Sequence, residues 1–324
     1  MTDRVELQTN GVNIKGFDEV KITNSIDCLC GSFELTAIAN INSNIESVRS
    51  HVIKGMSCHL FKDGKLALTG YIKDVCPYYV GSVKALKIIG RSKAGDILDS
   101  SALGKVYRNL NTPQIISSII EPFNVALKTD LKGTSRLSVF SISAGEKLEK
   151  TLARLCRPKA AILFSDEYGN LTLTGRGSAQ SVNYIFKTGK NGNLTGGSIV
   201  DEDADYSKVA LFGQSSLEDE HNLDMVRSQI VSVDFTDKRH KTRCIFADNV
   251  SDEALRKEIQ LLAKKSRRIS LNVANWPDLN LNAFERAEDY WLGLSGKYLV
   301  AGISYRYSNQ SGHLTDVVLE DADV

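Results

Sequence analysis

One stretch, residues 66–102, constrains the fold of this chain more than any other. It predicts two long strands over residues 66–75 and 83–89, joined by a turn in which Gly81 can take a positive φ. The tripeptide Gly90-Arg91-Ser92 predicts the end of the second strand, and a polar passage rich in turn-forming residues follows. We therefore expect a β-domain to end here and a unit of another type to begin.

The preceding residues, 1–91 as a whole, predict a small antiparallel β-domain. Two-residue turn signals at Asn10-Gly11 and Asp63-Gly64 each indicate a tight hairpin. Alternating apolar and polar residues over 32–38 predict a half-buried strand, and residues 51–60 predict a further strand after an Asn- and Ser-rich loop at 39–50. About six short strands with few helix signals are typical of a barrel or a sandwich.

Residues 92–186 predict an α+β insertion domain that begins with a helix. Thr112 is expected to cap this helix, with Pro113 in its first turn and an end before Pro122. Four isoleucines fall on one face of this helix, so we expect that face to be buried: Ile115, Ile116, Ile119 and Ile120.

A second helix and a hairpin complete this predicted insertion. Ser143 and Glu146 fit a capping box for a helix that runs to about Cys156, with apolar residues at helical spacing. Residues 161–165 and 171–174 then predict a hairpin.

The rest of the chain predicts a second β-domain, interrupted by a helix. Its first part is residues 187–250, opening with a flexible connector over 187–197. A helical insertion, 251–280, is expected to begin at Ser251, and its basic residues can interact with the helix dipole or contact nucleic acid or another subunit: Lys264, Lys265, Arg267 and Arg268.

Closing strands over residues 281–324 complete this second β-domain. Strict alternation along one of them predicts a single shared face, made of Leu299, Ala301, Ile303, Tyr305 and Tyr307. Residues 309–312 predict the turn into the last strand.

Composition excludes several broad classes of function. The 324 residues suffice for about two to four domains, and 42% apolar with 24% charged residues is the profile of a soluble globular protein. With 40 basic and 39 acidic side chains, the net charge of +1 provides no overall field that would attract nucleic acid or an anionic membrane.

The sequence also indicates where the chain folds. The N-terminal segment is polar and lacks the apolar core of a signal peptide, and no apolar run approaches the roughly 18 residues of a membrane helix. We expect folding in a cytoplasm and no membrane insertion. The six cysteines are expected to be buried free thiols: Cys28, Cys30, Cys58, Cys76, Cys156 and Cys244.

No motif in the sequence has the spacing of a catalytic or metal site. Residues 90–95 have one residue too many for a nucleophile elbow, and residues 293–298 lack the spacing of a P-loop. The five histidines include no H-x-x-x-H pair, and the acidic run 201–205 lacks the glycine and closing glutamate of an EF-hand. We expect no enzyme activity, no cofactor, and no catalytic, cofactor-binding or metal-binding residues.

Two groups of residues leave alternatives open. Cys28-Leu29-Cys30 lies in an apolar, strand-like segment, and in a strand both thiols would face one way. It has no second cysteine pair at zinc spacing, so it is either a structural thiol pair or a metal or redox site. The second group is either a polar loop that enters a strand or a carbohydrate site with paired carboxylates and aromatics: Glu285, Glu288, Asp289, Tyr290 and Trp291.

Two segments at opposite ends of the chain resemble a known family. The run IIGRSKAGDILDSSA at residues 88–102 is similar to the strand-to-helix junction of the phage Mu tail protein P family, the baseplate hub proteins of contractile phage tails. The run DYWLGLSGKYLVAGISYRYSNQSGHLTDVVLED at residues 289–321 is similar to the closing hairpin of that family. The resemblance implies two tail-tube-like antiparallel β-barrel domains per chain, with the α+β insertion between them, in an α+β but mainly β fold.

The same resemblance implies a structural function. The chain is expected to form a homotrimer that joins the sixfold tail tube protein to the threefold central spike protein and contacts other baseplate proteins. DNA would pass through a central channel without specific binding. Such a protein belongs to a virion tail baseplate assembled in the bacterial host cytoplasm. The alternatives are the hub of a type VI or extracellular contractile injection system, a hub-associated cell-wall hydrolase, and a glycan-binding tail protein.

Overall fold

A computed structural model describes most of the chain. The described residues are 2–39, 45–131, 136–159, 161–201, 206–216, 226–235, 240–246, 255–256, 259 and 267–322.

The first part of the chain is a set of antiparallel strands with one helix. Its elements are β1 (Val5–Thr9), β2 (Val12–Ile14), β3 (Glu19–Ser25), β4 (Ser32–Ala39), α1 (Ile45–His51), β5 (Ser57–Lys62), β6 (Lys65–Val80) and β7 (Val83–Ser92). Both predicted hairpin turns are confirmed, since Asn10, Gly11, Asp63 and Gly64 all have positive φ.

The middle part alternates short helices and strands. Its elements are α2 (Gly95–Leu98), β8 (Lys105–Asn111), α3 (Thr112–Ile120), β9 (Leu127–Thr129), β10 (Arg136–Ile142), α4 (Leu148–Cys156), β11 (Ile162–Ser165) and β12 (Leu171–Thr174), with 3₁₀ turns at Glu121–Phe123 and Arg157–Lys159. The four isoleucines of α3 are buried as expected, at 7% exposure or less.

The last part returns to strands. Its elements are β13 (Ile185–Lys187), β14 (Leu194–Asp201), β15 (Lys208–Ser216), β16 (Val226–Asp234), β17 (Thr242–Phe246), β18 (Arg267–Ala274), β19 (Phe284–Asp289), β20 (Leu294–Ser308) and β21 (Gly312–Asp321). Strands β15, β16 and β17 form a small separate sheet around Val209, Leu211 and Ile245.

The first and last parts share one sheet. Its order is β14-β18-β21-β20-β3-β4-β7-β6-β5-β1-β2, and β19 joins it beside β20 with β13 alongside. The joint is the antiparallel pair β3–β20, which runs from Gly302 opposite Ser25 to Ser308 opposite Glu19. The mainly β class is thus confirmed, while closure into barrels stays a prediction because the described pairings form an open order.

One hydrophobic core lies against this shared sheet. Leu7, Ile22 and Phe33 from the first part pack in the same cluster as Leu271 and Val317 from the last part, all at 1% exposure or less. A second cluster fills the middle part around α3, α4, β8 and β10. The two ends of the chain therefore bury their apolar surface together, whereas the middle part has a core of its own.

A bulge in β20 divides the face that alternation predicted. The register with β21 shifts between Val300 and Gly302, so Ala301 is an extra residue. Ile303 and Tyr305 face the main core, but Leu299 and Ala301 face a smaller cluster with Ile26. The expectation of one shared face was wrong because an inserted residue reverses the side that the following side chains occupy.

Gly90 does not end a strand, as the sequence suggested. Strand β7 continues to Ser92, and Gly90 pairs with Phe33 across the β4–β7 ladder. A Cβ at residue 90 would lie 2.2 Å from the ring of Phe33. Glycine is required here because a buried aromatic ring occupies the space of a side chain.

Other local expectations are corrected by the structure. Helix α1 replaces part of the expected loop at 39–50, and the strand expected from His51 begins at Ser57. Asn111 rather than Thr112 caps α3, in a reciprocal capping box with Gln114. Helix α4 begins at Leu148, although the Ser143 amide still donates to Glu146 Oε2 at 3.2 Å.

The end of the expected helical insertion, 251–280, is also different. Arg267–Ala274 forms strand β18, which pairs with both β14 and β21. Ser251, Lys264 and Lys265 lie outside the described residues. Arg267 and Arg268 are therefore strand residues, and Arg267 forms an ion pair with Asp321 at 3.5 Å.

The contact between Gly90 and Phe33 makes a testable prediction. Gly90→Ala should lower the free energy of unfolding by about 2 kcal/mol, because the new methyl group overpacks a full core. The control is Gly296→Ala in β20, where a Cβ meets no atom within 4 Å; it should be neutral or stabilise by about 0.5 kcal/mol. Urea unfolding measures both, and equal effects would contradict the close approach.

Candidate interaction surfaces

The motifs weighed for catalysis take structural positions. Ser92 is 2% exposed, and its hydroxyl donates to Ser165 Oγ at 3.0 Å, which links β7 to β11. Gly293 forms a turn with positive φ, and residues 294–298 begin β20. Within the described ranges, no three His, Cys, Asp or Glu side chains form a group that can hold a metal ion. Residues 202–205 of the acidic run lie outside those ranges.

Residues 175–187 follow the middle part and end with β13, and we call this segment the strap. Glu285 holds the strap in place. Its buried carboxylate, 1% exposed, accepts hydrogen bonds from the Val182 amide at 2.7 Å, the Tyr184 amide at 2.7 Å and the Ser181 hydroxyl at 3.0 Å. Charge-assisted bonds of this kind are among the stronger ones in proteins. Glu285 is thus a structural anchor and does not face a binding cleft.

Asn282 fixes the start of the same strap. Its amide accepts from the Gly177 amide at 2.8 Å and donates to the Gly175 carbonyl at 2.9 Å and to Ser178 Oγ at 3.1 Å. Sequence reasoning missed this residue, because its partners lie more than 100 positions away and no local pattern marks it. Its one local sign is the type of residue, since asparagine readily takes the positive φ of 63° found here.

The neighbouring acids also have internal partners. Asp289 Oδ1 accepts from the Leu292 amide at 2.9 Å, and Glu288 forms ion pairs with Lys187 and Arg286 at 3.4 Å each. The three carboxylates that the carbohydrate interpretation grouped together therefore serve the strap, the turn and a surface ion pair. They do not converge on one cleft.

The aromatic pair beside these acids is fully presented to solvent. Tyr290 is 98% exposed and Trp291 is 90% exposed, at the turn between β19 and β20. The turn is held by the Gly293 amide, which donates to the Tyr290 carbonyl at 3.3 Å, while Leu292 packs against the main core. Tyrosine and tryptophan are enriched at interface hot spots, so we name this turn the aromatic tip.

The hairpin of β6 and β7 presents a second exposed apolar surface. Its end, residues 76–84, is exposed on both faces, with Tyr79 at 78% and Val80 at 72%. Tyr78 lies opposite Ala85 and Val80 opposite Val83, so one face carries a continuous apolar stripe. Beside it lies a groove of about 450 Å³ lined by residues that include Arg49, Pro77, Lys84 and Leu86. We name this end the hairpin tip.

The two tips lie at opposite ends of the sheet. Strand β20 begins just after the aromatic tip and first pairs with β3 at Gly302, opposite Ser25. The aromatic tip therefore lies at the end of the sheet that contains Ser25. Strand β7 begins after the hairpin tip, and Lys84 lies opposite Ala39 at the other end. A two-stranded extension with no covering layer is marginal in water, so burial against another molecule would stabilise it.

Comparison with known proteins gives matches over the first two parts of the chain. Residues 4–92 match the family described as Mu phage baseplate assembly protein GpP-like, N-terminal. Residues 94–175 match the second domain of the baseplate hub protein gp44-like family. The baseplate hub protein gp44 of Escherichia phage Mu is 24% identical over 179 residues, which are 54% of this chain and 46% of that protein. The matched region thus spans about half of that relative.

Solved structures show the same fold over the whole chain. The 43 kDa tail protein of prophage MuSo2 from Shewanella oneidensis has a TM-score of 0.80 at 22% identity, covering 98% of this chain and 99% of that one. A component of the type VI secretion system of E. coli has a TM-score of 0.61 at 8% identity, covering 97% and 76%. These likenesses, all below 25% identity, concern the fold.

Fold and matches together define a class, the phage-tail baseplate proteins. The domain models over residues 4–92 and 94–175 confirm the resemblance to Mu-like phage baseplate hub proteins that the sequence indicates. It is a baseplate hub-like phage tail protein. None of the described helices has the length and apolar character needed to span a membrane.

The anchoring role of Glu285 can be tested directly. Glu285→Ala should lower the free energy of unfolding on the order of 3 kcal/mol, because it leaves the partly buried amides of Val182 and Tyr184 without their charged acceptor. Glu288→Ala on the same strand removes only exposed ion pairs and should cost less than about 0.5 kcal/mol. Denaturant unfolding gives both values, and limited proteolysis should cut the strap faster in the first variant alone. A strap equally resistant in both variants would contradict the anchor.

Proposed function

We propose that this chain is a structural baseplate hub in which three copies form a ring between the sixfold tail tube and the threefold central spike. The observation that carries the proposal is the family match of its first two parts, together with a fold shared along its whole length with a Mu-like prophage tail protein. The trimer, the tube and the spike are inferred from that kinship.

The physical mechanism is symmetry matching. If the first and last parts of each chain act as two tube-like domains, three chains present six near-equivalent sites to the tube. A closed ring also ends growth at a defined size and satisfies strand edges that would otherwise aggregate. No bond is made or broken in this mechanism, which agrees with the structural uses of Glu285, Asp289 and Ser92.

The positions of the two tips support this proposal. A ring that joins two neighbours needs contacts on both of its faces, and the aromatic tip and the hairpin tip project from opposite ends of the sheet. The hairpin tip carries the exposed Tyr78 and Tyr79, and the aromatic tip carries the exposed Tyr290 and Trp291. Tyrosine and tryptophan are enriched among the side chains that anchor protein interfaces. We therefore assign one tip to each neighbouring ring, with other baseplate proteins around the outside. DNA would pass through the central channel without specific contacts.

One observation supports the alternative of a hub in a contractile injection system. The chain shares its fold with a component of the type VI secretion system, which is compatible with a hub that belongs to an injection system instead of a phage tail. The family match favours the phage or prophage particle, assembled in the host cytoplasm.

The trimer is tested by the native mass of the purified chain. Light scattering over a concentration series should give three times the chain mass of 35.6 kDa. A strict monomer at every concentration, with and without the spike protein, would contradict the hub. A parallel peptidoglycan gel should show no clearing, and a cleared zone would favour the hydrolase alternative.

The two tips are tested by paired variants. Tyr79→Ser with Val80→Ser, and Tyr290→Ser with Trp291→Ser, should each leave the free energy of unfolding within about 0.5 kcal/mol, because these side chains are exposed. Each pair should weaken binding to one neighbour, tube or spike, by roughly 30-fold, the effect of losing an interface hot spot. Co-sedimentation with the purified tube and spike measures this, and each variant is the control for the other. Unchanged binding to both neighbours in both variants would refute the assignment.

A further inference from the structure

The turn between β3 and β4 holds the two cysteines whose role the sequence left open. The apolar surroundings of Cys28 and Cys30 predict a strand, but both residues lie in the turn at residues 26–31. The Ile26 amide donates to the Ala301 carbonyl at 2.9 Å, and the Gly31 amide donates to Ser165 Oγ at 3.1 Å. This turn therefore contacts β20 of the last part and β11 of the middle part.

The two thiols differ in their surroundings although only Leu29 separates them in the turn. Cys28 is exposed, whereas Cys30 is buried in the core of the middle part at 6% exposure. The hydrogen bond from Cys30 lowers the pKa of Cys28 to about 6, although partial desolvation and the charge of Glu149 in α4 act in the opposite direction. The same bond, together with burial, raises the pKa of Cys30, and Asp99 acts in the same direction. The exposed thiol of Cys28 is thus the more acidic of the two, and the buried thiol of Cys30 is the less acidic.

The other four cysteines have no such arrangement. Cys58 and Cys156 are buried, and desolvation raises the pKa of each to about 12. Cys76 and Cys244 are exposed, so the expectation of six buried thiols was wrong for them as well as for Cys28. Neither has a second cysteine within two residues.

We propose that Cys28 and Cys30 are a reversible dithiol–disulfide site that reacts with low-molecular-weight disulfides of the glutathione class. The exposed sulfur of Cys28 is the attacking atom, and the buried sulfur of Cys30 is the resolving one. The site lies where the first, middle and last parts of the chain meet.

The reaction has two balanced steps. The Cys28 thiolate attacks one sulfur of the disulfide RSSR, forming a mixed disulfide and releasing one thiolate RS⁻, which takes the proton of Cys30. The Cys30 thiolate then attacks the Cys28 sulfur, closes the Cys28–Cys30 bond and releases the second RS⁻, which is protonated by solvent. Two protein thiols are oxidised and one RSSR is reduced to two RSH, and an excess of RSH reverses both steps.

The geometry limits what this bond can do. The loop that it closes contains only the cysteines and Leu29, and stabilisation by loop closure grows with loop length. Oxidation should therefore fix the turn without a large change in global stability.

The first experiment follows the oxidation of the full-length chain. The native protein is incubated without oxygen in oxidised glutathione, and its thiols are then alkylated and mapped by mass spectrometry. In the wild type, neither Cys28 nor Cys30 should be alkylated, the mass should fall by that of two hydrogen atoms, and no glutathione should remain attached. Cys30→Ser should instead trap one glutathione on Cys28, and Cys28→Ser should gain none in this turn. Cys76→Ser, which removes another exposed cysteine, is the matched control and should behave as wild type at residues 28 and 30.

The second experiment measures the rate of alkylation of Cys28 against pH in the native chain. The midpoint should lie near pH 6 in the wild type and move to about 8.5, the usual range of a thiol, in Cys30→Ser. The midpoint is the readout because the reactivity of a thiolate falls as its pKa falls, which offsets much of the gain in rate.

Two results would overturn the proposal. One is a stable glutathione adduct on Cys28 in the wild type, because it would mean that Cys30 does not resolve it. The other is a midpoint near pH 8.5 for the alkylation of Cys28 in the wild type, a result that does not depend on whether any variant folds. Neither experiment depends on ring formation, so failure of the hub assignment and failure of this site are distinguishable.

Discussion

The pairing of β3 with β20 is the constraint on which the rest of the structure depends. These strands lie almost 300 positions apart, yet they join the first and last parts in one ladder from Ser25 to Glu19. Their union places Leu7 and Ile22 in the same core as Leu271 and Val317. Such a contact closes a very long loop, so its entropic cost is met only when a large apolar surface is buried with it. The bulge at Ala301 places Ile303 on the same side of the sheet as Val300, and so in the shared core.

The middle part is held to this frame by polar contacts. Ser92 and Gly31 meet Ser165 on one side, and Asn282 and Glu285 bind the strap on the other. Partly buried hydrogen bonds of this kind favour a single geometry, because other arrangements leave polar groups shielded from water without a partner. The exposed aromatic and hairpin tips are left unburied at the two ends of the same rigid sheet. The connector role that we propose needs this combination of a fixed body with two contact surfaces.

The candidate surfaces show where sequence reasoning fails. Proximity in sequence grouped Glu285 with Trp291 as a sugar site, but alternation along β19 turns Glu285 inward while the aromatic residues form the turn beyond it. The residues at the hairpin tip were assigned to a turn because the strand pattern weakens there. The thiol pair was assigned to a strand because its neighbours are apolar. In each case the local composition was correctly read, but the direction of the side chain depended on where the strand ended.

Sequence by itself determined the features that depend on near neighbours. It specified the hairpin turns at Asn10-Gly11 and Asp63-Gly64, the buried isoleucine stripe of α3, the mainly β class and the two runs that resemble the hub family. Only the tertiary structure decided that both ends of the chain build one sheet, that Gly90 makes room for Phe33, and that Asn282 and Glu285 hold the strap. Backbone propensity acts over a few residues, whereas these contacts arise from burial and hydrogen bonding between segments far apart in the chain, which no local pattern encodes.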